Sequence, residues 1–164
     1  MRYRLKQQLF TLAHSFTVED RHGNPAFEVS GKLLSLGDQF TFRDTAGKEV
    51  GQIHQTKILV TPTFEIYTGG RLAGVFESTL INRLKPHNKF TIDLPDGDDL
   101  VATGDIWGFE YELRRGKRLV ATVSKDPMRF ADTYDVNIVT PDLDHVLALA
   151  ITIAIDAVCF PGRT

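Results

Sequence analysis

The sequence predicts a mainly β domain, a closed antiparallel barrel of about twelve strands enclosing an apolar C-terminal α-helix. Three observations carry this expectation. Glycine recurs in polar turns, roughly two dozen residues apart. Apolar and polar residues alternate between those turns. Near residue 140 the alternation gives way to a run that is apolar on almost every face.

The turns come first. Gly23 lies in Glu19–Asn24, Gly47 in Arg43–Lys48, Gly70 in Tyr67–Arg71, Gly97 in Asp93–Asp98 and Gly116 in Arg114–Lys117. A tight hairpin needs a residue that tolerates positive φ, and glycine does so without steric cost. The strands between them show a period of two. Phe10, Leu12, Phe16 and Val18 share a face, as do Leu34, Leu36, Phe40 and Phe42. The same holds for Phe90, Ile92 and Leu94, for Trp107, Phe109, Tyr111 and Leu113, and for Tyr134, Val136 and Ile138. Strands with one apolar and one polar face belong to an antiparallel sheet wetted on one side. Pro62 and Pro86 mark strand ends or loops, because proline cannot donate to a central ladder. The strands fall within residues 2–139, about as many as the twelve expected.

The helix is expected from about Pro141 to about Cys159. Thr140 offers a capping hydroxyl, Pro141 suits a first helical position, and Asp142 and Asp144 supply acids to a first turn. The polar exceptions Asp142, His145, Thr152 and Asp156 fall at helical spacing on one stripe. A helix apolar nearly all round is buried in protein or in lipid. A membrane span needs about 20 apolar residues, whereas the uncharged run Val146–Ile155 is half that, and Asp156 would cost about 3 kcal/mol near a bilayer centre. The core is therefore the expected place, and the chain is not expected to be transmembrane. A helix about 10 Å wide does not fit inside eight strands, so the barrel must be larger.

With 164 residues, the chain is expected to form one domain, 1–164. Its 42% hydrophobic and 24% charged residues are ordinary for a globular protein. A net charge of −2 lacks the overall basic footprint of a nucleic-acid binder. Cys159 is the only cysteine, so no disulfide closes within the chain. The segment Met1–Gln8 carries charge without a following apolar stretch, so no secretory signal is expected. The expected location is cytoplasmic, with a peripheral place at the membrane if the chain holds lipid.

The Asp-x-x-Gly turns at Asp20–Gly23 and Asp44–Gly47, the strand Asp132–Ile138 and the apolar C-terminal helix resemble the LURP-one-related family. That family belongs to the tubby C-terminal-like superfamily, which also includes phospholipid scramblases. The resemblance spans essentially the whole chain and implies a twelve-stranded barrel around the helix. Tubby proteins bind phosphoinositides through basic residues, but no such residue is carried over to a position here. The proline-rich N-terminal region and cysteine cluster of scramblases are absent, which argues against lipid scrambling.

Catalytic and metal signatures are missing from the sequence. His14, His22, His54, His87 and His145 are dispersed without metal-ligand spacing. There is no Gly-x-Ser-x-Gly elbow and no phosphate-binding loop, and Gly104 and Gly108 read as turn or bulge glycines. Cys159 reads as a small apolar side chain closing the helix, and His145 as a helix-end or barrel-mouth residue. The carboxylates from Asp93 to Asp99 read as an acidic turn, because their spacing does not match an EF-hand loop. No cofactor and no metal are expected. Trp107, Phe109 and Tyr111 are expected inside the core.

Two basic clusters remain. Arg83, Lys85 and Lys89 form one, and Arg114, Arg115, Lys117 and Arg118 crowd one tight turn. Such clusters create a local positive field suited to phosphate or an anionic membrane. The expected function is a non-enzymatic binding module recognising anionic lipid headgroups or phosphoinositides. The alternative is a structural or protein–protein interaction domain, and a small-ligand carrier or enzyme at the barrel mouth ranks last.

Overall fold

The computed structural model describes residues 1–8, 14–34, 37–57, 61–78, 89–128 and 132–160. Among them are twelve strands: β1 (Arg2–Gln7), β2 (Ser15–Asp20), β3 (Pro25–Leu34), β4 (Gly37–Asp44), β5 (Glu49–Lys57) and β6 (Thr63–Thr68). There follow β7 (Arg71–Glu77), β8 (Phe90–Asp93), β9 (Leu100–Asp105), β10 (Glu110–Arg115), β11 (Arg118–Lys125) and β12 (Thr133–Ile138). One helix, α1 (His145–Cys159), completes the fold. Each strand pairs antiparallel with its sequence neighbour, and β1 pairs with β12 to close the barrel. The closing register sets Arg2 opposite Asn137 and Lys6 opposite Thr133. Closure pairs the first and last strands, which would be the two edges of an open sheet.

Alternation in sequence becomes alternation across the wall. Phe16 and Val18 of β2, Phe40 and Phe42 of β4, Phe90 and Ile92 of β8 and Tyr134 and Val136 of β12 all point inward and are buried. The two Asp-x-x-Gly turns share one geometry. Asp20 Oδ1 accepts from the backbone N–H of His22 at 2.8 Å and of Asn24 at 3.0 Å. Asp44 Oδ1 accepts from Ala46 at 3.0 Å and Lys48 at 2.9 Å. Gly23 and Gly47 follow at φ +82° and +79°, where a side chain would strain the backbone. Pro62 precedes β6, at a strand end as expected.

The helix fills the barrel. Every residue from Val146 to Asp156 is buried, and α1 touches β5, β6, β7 and β12. Three alanines, Ala148, Ala150 and Ala154, are fully buried and keep the helix slim enough for the lumen. Gly51 of β5 makes room as well, since a Cβ there would lie 2.5 Å from Val146 Cγ1. No described helix is long and apolar enough to cross a membrane.

Two expectations are corrected. The helix starts at His145, not near Pro141, and its cap is Asp144 rather than Thr140. Asp144 is extended, and its carboxylate accepts from Val146 N at 2.9 Å and Leu147 N at 3.2 Å. A carboxylate satisfies orphan helix N–H groups as well as a hydroxyl does, and the preceding 141–143 segment turns across the rim instead. Asp142 is therefore outside the helical stripe. Likewise Trp107 and Phe109 do not begin a strand: 106–109 is a turn, and β10 starts at Glu110. The period of two persists through the turn because Phe109, at φ +54°, still drives its ring into the core. Gly104, at φ +132°, precedes this turn and Gly108 lies within it, in keeping with their reading.

Candidate functional site

The β10–β11 hairpin carries four of the seven candidate cations. Arg115 pairs with Arg118 across a turn whose centre is Gly116, at φ +58°, and Lys117. The ladder slips by one residue between Leu113 and Arg114, so the tip twists away from the wall. Two of the cations are neutralised by neighbours. Arg114 Nε and Nη2 each meet Glu112 Oε2 at 2.8 Å, and Arg114 Nη1 donates to the Lys117 carbonyl at 2.9 Å. Arg118 pairs with Asp142 in the connection to α1. The nearby Thr140 hydroxyl, though without a hydrogen bond of ordinary geometry among the described residues, and then the guanidiniums of Arg118 and Arg115 hold the Asp142 carboxyl below the ordinary range. This contribution is present above the ordinary carboxylate range and is lost as pH falls through the depressed value.

Arg115 and Lys117 are left. Lys117 is exposed. The Arg115 Nε is sealed from solvent and meets no acceptor among the described residues, although its residue is only half-buried. The hairpin is thus pinned at both flanks, with Arg115 and Lys117 at its tip outside any ion pair among the described residues.

The other cluster does not join it. Arg83 and Lys85 lie outside the described residues, with Pro86, His87, Phe10, Leu12 and Leu36, and so does the Leu34 side chain. Lys89 is exposed and precedes Phe90, which sits opposite Ala102, whereas Arg115 sits opposite Leu100. Lys89 therefore lies toward the opposite rim from the hairpin tip.

His145 occupies the mouth at the helix start, as read from the sequence. The Tyr3 hydroxyl is 2.8 Å from His145 Nδ1, and the two rings meet edge-on at 5.5 Å. Burial, then the Asp20 charge, raises the Tyr3 hydroxyl above its ordinary value. Cys159 is a buried thiol at the helix end. No group of three metal-ligating side chains forms among the described residues. A groove of about 590 Å³ lined by Thr17, Glu19, Phe27, Glu28 and Asp44 has no helix residue in its wall. Phe109 and Tyr111 are buried as expected, whereas Trp107, expected inside the core, is only half-buried and packs against it from the 106–109 turn.

Sequence reasoning missed the polar contacts inside the far end of the barrel. The Tyr134 hydroxyl donates to the buried Asp156 carboxylate. Above Tyr134, Lys125 forms an ion pair with Asp132 at 2.7 Å and lies over three aromatic rings. These residues are far apart in sequence or hidden in strand alternation, and no spacing signal marks them.

The LURP-one-related family model matches residues 1–156. An uncharacterised protein, YxjI, of Bacillus subtilis (strain 168) is 32% identical over 157 residues, covering 95% of this chain and 92% of that one. The X-ray structure of a protein from Arabidopsis thaliana, AT5G01750, is similar with a TM-score of 0.66. That match covers 96% of this chain and 91% of the other at 17% identity, and it speaks to the fold alone.

Proposed function

Because the chain belongs to the LURP-one-related family, and because its own helix fills its lumen, we propose that it is a non-enzymatic binding module acting through its outer surface. The ligand is an anionic lipid headgroup, met by the β10–β11 hairpin. One observation carries this reading: Arg115 and Lys117 stand at a tip whose neighbours Arg114 and Arg118 are already tied to Glu112 and Asp142. Paired cations hold the tip in place and add little field of their own. Arg115 and Lys117, outside those ion pairs, supply about 1 kcal/mol each near an anionic surface.

That magnitude sets the test. Co-sedimentation with vesicles of phosphatidylcholine alone, or with phosphatidylserine or a phosphoinositide added, is measured at low and physiological salt. Binding is expected only to the anionic vesicles and should weaken with salt. Arg115→Ala with Lys117→Ala should lower it about thirtyfold, the equivalent of about 2 kcal/mol. Equal binding by the doubly substituted protein would remove the hairpin from the site. Absence of binding to every vesicle would favour a protein-interaction domain instead.

A further inference from the structure

At the rim opposite the hairpin, one ammonium is surrounded in a way that ion pairing alone does not require. Lys125 Nζ lies 5.5 Å from the Phe160 ring centre, 5.8 Å from Tyr134 and 5.9 Å from Phe109. Asp132 Oδ1 sits 2.7 Å away. The rings are packed on one another: Phe109 stands 4.6 Å from Tyr134 and 5.8 Å from Phe160. Phe109 reaches this position from φ +54°, where no other described non-glycine residue lies. A bulky residue held there costs about 1–3 kcal/mol and persists only where its surroundings over-determine it. Tyr134 is fixed in turn by its hydroxyl bond to Asp156. The Lys125 side chain keeps 26% exposure, so this corner of the rim is in part open to solvent.

The three rings form one closely packed cluster, with 31° between the Phe109 and Tyr134 planes and 20° between Phe109 and Phe160, and the ammonium lies against it beside a carboxylate. Aromatic sites of this kind recognise quaternary and methylated ammonium groups. A primary ammonium is strongly hydrated and loses much on entering such a site. A methylated one sheds less water and presents more surface to the rings. We propose that this rim is a binding cage for a trimethylammonium group of a small molecule, held shut in the free protein by its own Lys125. The site is independent of the β10–β11 hairpin and of the reading given to it. Asp132 fixes the preferred form of the ligand: a phosphate next to the cation would face that carboxylate, so free choline should bind better than phosphocholine.

Trp107 provides the readout. It is the only tryptophan of the chain and meets Phe160 edge-on at 6.2 Å. Choline, phosphocholine and the neutral isostere 3,3-dimethylbutanol are titrated into the full chain and into Lys125→Met, following Trp107 fluorescence. Removing the tethered competitor should tighten choline binding at least tenfold, and Phe160→Ala added to Lys125→Met should abolish it. Choline affinity equal in both proteins, or no saturation in a Lys125→Met protein that still melts cooperatively, would overturn the proposal. So would isostere binding as tight as choline, which marks a merely apolar crevice, or tighter binding of phosphocholine. If Lys125→Met does not fold, the unmodified protein decides. Its Lys125 ε-methylene resonances, displaced by ring currents, should move to the free-lysine position as choline is added, and no movement rejects the cage.

Discussion

Asp156 is the only carboxylate that is buried among the described residues, and its hydroxyl neighbours behave differently from one another. Tyr134 donates to it. Tyr111 is sealed in the same region, its hydroxyl beside Thr152 but without a hydrogen bond of ordinary geometry among the described residues. Removing a donor from a buried acceptor costs about 1–3 kcal/mol, whereas removing an unpaired hydroxyl costs little. Tyr134→Phe should therefore lower the urea midpoint by that much with an unchanged slope, and Tyr111→Phe should leave it nearly unchanged at neutral pH. Alkaline pH separates them further. Burial raises the Tyr111 hydroxyl above its ordinary value, so the native state keeps a proton that the unfolded chain releases near pH 10. Stability should fall as pH rises past that point, and Tyr111→Phe should flatten the alkaline limb. An alkaline limb of unchanged steepness in Tyr111→Phe would count against this account.

At the scale of the element, the helix owes its start to one carboxylate. Asp144 takes two backbone N–H groups that otherwise have no partner at a buried rim. Asp144→Ala should cost about 1 kcal/mol, read as a shift in thermal midpoint, while Asp144→Asn should recover most of it. No loss in Asp144→Ala would mean that the cap is dispensable there. This cap shows where sequence reading succeeds and where it stops. The apolar run of α1 was legible because a strand of an antiparallel sheet wetted on one face is not apolar at every position, and the hairpins were legible from alternation and Asp-x-x-Gly turns. The start was not, because Thr140-Pro141-Asp142 and Asp144 are both competent caps and local chemistry does not choose between them. Tertiary contacts do, with Arg118 drawing Asp142 to the hairpin. In the same way Trp107–Leu113 satisfies strand alternation while folding partly as a turn. At the basic hairpin the crowding of charge was legible. Its neutralisation by Glu112 and Asp142 was not, since those partners are set by register and by the rim crossing. The Lys125 cage was invisible, because β9–β10, β11, β12 and the residue after α1 supply its parts separately.

At the scale of the molecule, the barrel and its helix are expected to unfold as one cooperative unit. β1 finds its second partner only in β12, so closure requires the chain to meet itself across nearly its full length. The lumen is occupied only when α1 follows. Neither part has a self-sufficient core: the inward aromatics of the wall pack on a helix that is itself apolar all round. Gly51 is the place to test this, because its missing side chain lets Val146 approach. Gly51→Ala puts a methyl group into space that Val146 Cγ1 occupies, and overpacking of this kind costs about 1–3 kcal/mol. If helix and barrel are one unit, the loss must be felt at the far rim. Trp107 fluorescence there and the far-ultraviolet signal of the whole sheet should shift together to a lower midpoint in a single transition. Val146→Ala in the Gly51→Ala background removes the clashing methyl groups, so the pair should be non-additive, with the double variant costing less than the sum of the two single ones. Separate transitions for Trp107 and the sheet would instead mean that the helix docks into a barrel already formed.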